Sequence, residues 1–377
     1  MTVLTDLTTP AALIDEARMS ANILRMQTRM NCLGVRLRPH VKTTKCIAVA
    51  KRQRQQGGAG ITVSTLKEAE KFFEAGFEDI LYAVSIPPSK LDRALALRRR
   101  GCRLTVIVDS PEAAAALVAR GRSERHAFDV MIEIDSDGHR AGVLPDDGML
   151  LATGRIIQDG GSRLRGVLTH AGSSYELNNP EALLRLAEQE RSLAVKSAER
   201  LRAAGLPCAE VSVGSTPTAL CSRALPGITE VRAGVYVFFD LVMSNVGVCT
   251  PDDVALSVLT TVIGHQSDKG WVIVDAGWMA MSRDRGTQNQ SIDYGYGAVC
   301  DLGGRLIAGT RMIAANQEHG IIARGDGVAG EALVRQFPIG SLLRILPNHA
   351  CATGAQFSEY HLVGRDTVTT WPRFGGW

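Results

Sequence analysis

From residue 36 to residue 240, short runs of apolar and β-branched residues alternate with longer stretches whose apolar positions recur every three or four residues. The first kind of run predicts strands and the second amphipathic helices. Eight strands are predicted: Arg36–Val41, Gly60–Ser64, Asp79–Val84, Arg103–Asp109, Phe128–Asp135, Leu164–His170, Ala209–Val213 and Thr229–Val237. Helices fall between them, among them Leu66–Gly76, Ser89–Arg100, Pro111–Arg120 and Pro180–Gly205, several opened by Ser, Thr or Pro and closed near Gly. Eight strand–helix units in about 200 residues predict a parallel (β/α)8 barrel of the TIM type. Beyond Asp240 the pattern changes. Val254–Ile263, Trp271–Val274, Leu342–Leu346 and Tyr360–Leu362 predict strands joined by turns containing Gly and Asp, with no comparable long helix. The expected organisation is a barrel domain over residues 15–245 and a mainly β domain over 246–377, joined by an N-terminal segment, 1–14, whose run Ala11–Ile14 reads as one more strand.

Composition narrows the function classes. The chain has 377 residues, 45% of them hydrophobic, enough for one large and one smaller core. A net charge of +3 is too mild for an obligate polyanion binder. The basic runs Lys51-Arg52-Gln53-Arg54 and Arg98-Arg99-Arg100 fall on predicted helices and read as solvated faces, so no nucleic-acid partner is expected. Eight scattered cysteines without C-x-x-C spacing, and an opening segment without a secretory signal, lead to the expectation of free thiols in a reducing cytoplasm. No apolar run approaches the roughly 18 residues that span a bilayer, and no membrane role is expected.

Polar residues gather at the C-terminal ends of the predicted strands: Lys42, Ser64-Thr65, Asp109, Asp135, His170, Gly214-Ser215-Thr216 and Asp240. In a barrel those ends form one face, where active sites are built. In an extended strand His40, Lys42 and Thr44 share a face. Burial there would lower the lysine pKa and make Lys42 a nucleophile for a carbonyl cofactor, as a Schiff-base lysine requires; a surface role is the alternative. The run Val211–Thr218 passes from strand to helix start, with Thr216 placed as N-cap and Pro217 at the first helical position. Its N–H groups and the hydroxyls of Ser215 and Thr216 would converge on an anion such as phosphate, against plain helix capping. The following strand ends in Arg232-Ala233-Gly234-Val235-Tyr236, whose glycine permits close approach and whose tyrosine could add a hydroxyl. Near the C-terminus, His349 and Cys351 stand at i and i+2, on one face if the segment is extended, and could chelate a borderline ion while leaving positions for water and substrate. A buried histidine and an unrelated cysteine are the alternative.

Taken together, Arg38-Pro39-His40-Val41-Lys42-Thr43, Thr169-His170-Ala171-Gly172-Ser173-Ser174-Tyr175, Val213-Gly214-Ser215-Thr216, Arg232-Ala233-Gly234-Val235-Tyr236 and Pro347-Asn348-His349-Ala350-Cys351 resemble fold-type III, alanine racemase-like pyridoxal-phosphate enzymes. Within them the chain is similar to the metal-dependent D-serine dehydratase and D-threonine aldolase group, from Thr9-Pro10 to the last residues. The resemblance implies that Lys42 bonds pyridoxal 5'-phosphate and that His349 and Cys351 hold a divalent ion, Zn, Mn or Co. It implies that Gly214, Ser215, Thr216, Gly234, Val235 and Tyr236 take the phosphate, that His170 and Tyr175 line the cofactor, and that Arg140 lies near its phenolic oxygen. Racemases of this fold place an arginine where Arg232 stands, against the pyridine nitrogen. A guanidinium cannot readily protonate that nitrogen, which leaves more of the driving force to the metal; an ion pair of Arg232 with Glu230 or Asp240 is the alternative. Aldolases of the group usually show Asp at the position of Cys351, so the implied reaction is dehydration of a 3-hydroxy D-amino acid with release of ammonia. The first substrate expected is 3-hydroxyaspartate, giving oxaloacetate, with D-serine dehydration or retro-aldol cleavage to glycine and an aldehyde as alternatives. Arg283 is the residue named for a second substrate carboxylate. Barrel-only carrier proteins share the lysine and the phosphate loop but lack a tail such as the one from Pro251; a homodimer is compatible with the group.

Overall fold

The computed structural model describes residues 3–325, 331–365 and 367–377, so Met1 and Thr2 of the N-terminal segment lie outside the described residues. The chain divides into two units: Arg25–Gly234 with Gly376–Trp377, and the residues through Leu24 with Val235–Gly375.

In the first unit eight parallel strands follow one another around a single sheet: β2 (Arg36–Leu37), β3 (Ile61–Val63), β4 (Asp79–Ser85), β5 (Arg103–Val108), β6 (Asp129–Ile134), β7 (Arg163–Thr169), β8 (Glu210–Val213) and β9 (Glu230–Val231), with β9 beside β2; β1 (Ala11–Asp15) precedes them in the other unit. The seam between β2 and β3 closes through a parallel bridge at His40 and Thr62 and through Thr62 N–H donating to the Pro39 carbonyl at 2.8 Å. Leu81, Ile107, Met131 and Leu168, one from each of four consecutive strands, fill the interior. The helices between strands start at side-chain caps: Thr65 accepts from Glu68 N–H, Ser110 from Ala113, Asp147 from Met149, and Asn179 from Glu181 and Ala182.

The eight expected strands are all present, but the first and the last are cut short. Pro39 has no N–H for the ladder, so β2 stops at Leu37, and the chain winds into a 3-10 turn over Val41–Thr43. The last expected strand, Thr229–Val237, shrinks to Glu230–Val231 and ends in a 3-10 turn over Val235–Val237. The two basic runs lie on helices, Ile47–Gln55 and Leu91–Arg99, where Arg54 stands over the Phe77 ring at 4.4 Å and Arg98 and Arg99 pair with Asp129 and Glu124.

The second unit is a nine-stranded sheet built from β1, β10 (Leu256–Gln266), β11 (Trp271–Val274), β12 (Ala298–Cys300), β13 (Leu306–Ala315), β14 (Gly320–Arg324), β15 (Leu342–Leu346), β16 (Glu359–Val363) and β17 (Val368–Pro372). β10 is long enough to change partners: its first half pairs with β1, and from Val262 onward, across an irregularity before Gly264, it pairs with β11. That second pairing closes β10, β11, β14, β13, β12 and β15 into a ring. Val258, Val262, Val274, Val299, Met312, Ile322 and Ile345 pack in its core. Among the described residues, no helix is long and apolar enough to cross a membrane.

Candidate functional site

In the barrel unit, Lys42 is the middle residue of the Val41–Thr43 turn and is exposed rather than buried. The extended-strand reason for its orientation fails, because the strand has ended. Two histidines lie within reach of its charge. Burial, then Lys42 and Arg232, push the His40 imidazole well below its ordinary value, and its Nδ1 is buried without a partner. Burial, then Lys42, bring His170 down to about 3. His170 Nδ1 lies 2.7 Å from the Gly214 carbonyl. A carbonyl only accepts, so Nδ1 carries the proton and Nε2 keeps its lone pair. The Tyr175 ring stands 6.0 Å from the His170 ring.

The glycine at 214 is required. Its φ is +143°, and a Cβ there would meet the Arg232 carbonyl oxygen at 2.1 Å. The loop it opens differs from the expected cap. Ser215, not Thr216, caps the helix Thr216–Cys221: Ser215 Oγ accepts from Thr218 N–H, and Ser215 N–H donates back to the Thr218 hydroxyl. Ser215 Oγ also meets Ser174 Oγ at 2.8 Å. The Thr216 hydroxyl, released from capping, is buried with no partner. An unsatisfied hydroxyl in that position is costly unless an acceptor arrives, and an anionic oxygen beside it would satisfy it. Gly234 lies close to the lysine turn, where a Cβ would stand 3.0 Å from both the His40 carbonyl oxygen and Thr43 Oγ1. Val235 and Tyr236 are buried in the turn that follows, in the other unit.

Arg232 is 5% exposed and donates to Ser212 Oγ at 2.7 Å and to the Thr169 carbonyl at 2.6 Å. The ion pair with Glu230 does not form, because Glu230 binds Arg38 at 2.7 Å and the Ser212 hydroxyl at 2.9 Å. Burial lowers the Arg232 pKa, opposed by the charges of Glu230, Glu190 and Glu133. Arg140 is exposed and reaches Glu133 at 3.3 Å.

The second unit carries a different constellation. His349 is not part of an extended pair with Cys351: it precedes a short helix, Ala350–Gly354, and Cys351 sits in that helix's first turn, hydrogen-bonded to His349 across the corner. Asp240, 1% exposed, clamps this corner by accepting from Ala350 N–H at 2.9 Å and from Met243 N–H at 3.0 Å. Leu241 and Val242 N–H groups donate to the Pro347 and Asn348 carbonyls. His349 Nδ1 lies 2.5 Å from Asp284 Oδ2. Asp284 follows Ser282, whose φ of 73° is a left-handed conformation rare outside glycine. Burial disfavours a charged His349, yet Asp284, Cys351 and Asp240 together push it up to about 11. Asp284 on Nδ1 is placed as an orienting carboxylate is for a metal-bound histidine, which leaves Nε2 as the nitrogen for an ion. Among the described residues no group of three or more His, Cys, Asp or Glu is placed to hold an ion, so His349 and Cys351 would leave positions for water or substrate. Arg283, next to Asp284, lies over the Trp278 ring at 4.0 Å, whereas Arg285 pairs with Asp293 at 2.8 Å.

The same sequence of barrel and tail occurs in known proteins. Residues 14–242 match the alanine racemase N-terminal domain, and residues 255–363 match the serine dehydratase domain. The chain is 66% identical over 373 residues to D-threo-3-hydroxyaspartate dehydratase of Delftia sp. (strain HT23), covering 98% of each chain. It is 32% identical to D-serine dehydratase of Dictyostelium discoideum, over 96% of this chain and 94% of that one. Two solved structures of D-threo-3-hydroxyaspartate dehydratase, one from Delftia sp. HT23 and one a cysteine-to-alanine variant in the metal-free form, superpose with TM-score 0.99 at 65% identity, over 100% of both chains. D-threonine aldolase from Filomicrobium marinum superposes with TM-score 0.83 at 26% identity, over 98% of this chain and 96% of that one.

Proposed function

The chain belongs to the family of the alanine racemase N-terminal domain, with a serine dehydratase domain behind it, and on that premise we propose that it is a pyridoxal-phosphate- and divalent-metal-dependent dehydratase converting D-threo-3-hydroxyaspartate to oxaloacetate and ammonia. The relative sharing 66% of its residues over 98% of both chains supports this reaction over aldol cleavage. The observation that carries the cofactor assignment is the buried, partnerless Thr216 hydroxyl beside a glycine that admits no side chain. Bound to this chain, pyridoxal phosphate supplies an electron sink for charge developing at Cα, and a divalent ion such as Zn, Mn or Co supplies a Lewis acid for the departing β-hydroxyl.

The residues around these groups have separable tasks. Lys42 Nζ would hold the cofactor and is the base assigned to the Cα proton. Gly214, Ser215, Thr216 and Gly234 would grip the phosphate, with Thr216 Oγ donating and Ser215 acting through its cap, and Val235 and Tyr236 are the further residues assigned to it. His170 and Tyr175 would line the cofactor, and His170, held neutral, would add no charge of its own. Arg140 is the donor assigned to the phenolic oxygen. Arg232, fixed by Ser212 and Thr169, is a donor-only group for the pyridine nitrogen and cannot readily give up its proton. His349 Nε2 and Cys351 Sγ are the ion's ligands, with Asp284 orienting the imidazole. Arg283, held over Trp278 beside that carboxylate, is the cation assigned to the substrate's β-carboxylate.

Product analysis tests the reading. Purified protein supplied with pyridoxal phosphate and Mn²⁺, Zn²⁺ or Co²⁺ should release oxaloacetate and ammonia in equal amounts from D-threo-3-hydroxyaspartate, faster than pyruvate from D-serine. Glycine and glyoxylate instead would make the enzyme an aldolase.

A further inference from the structure

The helix Pro180–Ala203 buries Leu183, Ala187, Ala194, Ala198 and Leu201 at helical spacing, and in the middle of that apolar stripe sits a carboxylate, Glu190, 1% exposed. Burying an ionisable carboxyl costs several kcal/mol unless hydrogen bonds replace water, and here they do. Glu190 Oε1 accepts from Ala171 N–H at 3.0 Å and from Gly214 N–H at 3.0 Å, and the Thr218 hydroxyl also bonds to it. These donors come from the loop after β7, the loop after β8 and the helix capped by Ser215.

The bonds close a ring. Ala171 follows His170 in the chain, and His170 Nδ1 donates to the Gly214 carbonyl. The peptide groups on both sides of Gly214 are therefore held, one through its N–H by Glu190 and one through its C=O by His170. Gly214 at φ +143° has no side chain to restrict it, so in isolation it would be the freest link of the loop. With both sides fixed, the direction of Ser215 and Thr216 is fixed too. Thr218 adds a second tie, since it bonds Glu190 and completes the reciprocal cap with Ser215. Glu190 also contributes negative charge that offsets the buried Arg232.

We propose that Glu190 is a positioning residue for the cofactor's phosphate: it presets the Gly214–Thr216 loop so that the Thr216 hydroxyl stands free for the anion, without touching the cofactor itself. The inference rests on the cofactor reading above and adds a residue to it that lies on a helix rather than in any of the strand-end loops.

The test compares pyridoxal phosphate with pyridoxal, which lacks the phosphate, by equilibrium titration of cofactor-free protein followed by absorbance. Wild type should bind pyridoxal phosphate far more tightly than pyridoxal. E190Q keeps an acceptor oxygen for both N–H groups and should stay within about threefold of wild type for both ligands. E190A should lose about tenfold to a hundredfold for pyridoxal phosphate, the scale of one hydrogen bond to a charged group, with little change for pyridoxal. E190D, which keeps the charge but withdraws the oxygen by one methylene, should shift the same way and carries the test if E190A does not fold. Equal losses for both ligands, or a phosphate preference unchanged in E190A and E190D, would overturn the proposal. A wild-type protein that binds neither ligand would instead sink the cofactor reading.

Discussion

Two histidine-bearing regions of this chain treat the same side chain in opposite ways. In the barrel, burial and the cations Lys42 and Arg232 drive His40 and His170 towards the neutral form. At the corner after β15, Asp284, Cys351 and Asp240 push the His349 imidazole up to about 11 against the opposing effect of burial. The difference lies in neighbours rather than in residue type. A region that expels positive charge from its histidines while keeping Lys42 and Arg232 is arranged to receive an anion, and the partnerless Thr216 hydroxyl fits the same purpose. A region that gathers carboxylates and a thiol round one imidazole is arranged to receive a cation. Each region thus suits the group proposed for it, a phosphorylated carbonyl cofactor in the one and a divalent ion in the other.

The largest effect expected breaks the barrel half alone. Lys42→Ala should abolish turnover, and borohydride, which is expected to fix pyridoxal phosphate to the wild-type chain at Lys42, should leave no covalent label on the variant. Label found by peptide mapping on another lysine would move the cofactor away from the Val41–Thr43 turn.

The next experiment removes only the cation half. EDTA, or His349→Ala or Cys351→Ala, should eliminate dehydration of D-threo-3-hydroxyaspartate while the protein keeps its bound pyridoxal phosphate, seen by its visible absorbance. β-Chloro-D-alanine should lose less activity, because chloride departs without a Lewis acid. If both substrates fail equally, the ion serves binding or folding and not departure of the hydroxyl. If the cofactor is released with the metal, the two halves are not independent and the contrast between them loses its meaning.

Much of the barrel half was legible in the sequence, because a repeated alternation of strand and helix fixes order and sheet direction even where single ends slip. Lys42 was found as a strand-end residue although its strand ends five positions earlier, at Leu37. The choice of Thr216 as cap failed for a local reason: Ser215 and Thr216 are both competent caps, and only the reciprocal bond with Thr218 selects Ser215. Glu190 left a signal that could have been used, a glutamate in phase with Ala187 and Ala194 on the inner stripe of a long helix. The cation half was less legible. His349 and Cys351 stand out as a pair, but Asp284 lies 65 residues from His349. It is aimed there by a left-handed turn at Ser282 that no glycine announces.

Thr216→Ala sharpens the contrast at the anion side. Removing one donor to a phosphate dianion costs about 1.5–3 kcal/mol, so pyridoxal phosphate affinity should fall by roughly one to two decades with little change in thermal unfolding of the cofactor-free protein. Unchanged affinity would leave the buried hydroxyl without a task. Arg283→Gln probes the cation side at its edge. Losing an exposed charge that lies over the Trp278 ring should raise KM for D-threo-3-hydroxyaspartate by about two- to fivefold, the scale of an exposed ion pair, and leave kcat/KM for D-serine nearly unaltered. A parallel fall for both substrates would assign Arg283 to the loop's structure rather than to substrate choice.

The smallest effect tests whether the barrel does expel charge from its histidines. His170 has a folded pKa of about 3 against about 6.5 in an unfolded chain. Protons therefore bind the unfolded state first, and the neutral ring's contribution to stability is intact above pH 6.5 and drains away as pH falls towards 3. Each pH unit inside that window costs at most about 1.4 kcal/mol, and less in proportion as water reaches the ring. His170→Asn keeps a donor for the Gly214 carbonyl but cannot titrate, so between pH 6.5 and 4 its urea midpoint should decline less steeply than that of the wild type, both measured without cofactor. The carboxylates and His40 are common to the two proteins and cancel in the comparison. Parallel declines would mean that His170 is protonated in the folded barrel as readily as in water, and the opposition between an anion-receiving barrel and a cation-receiving corner would then rest on His40 alone.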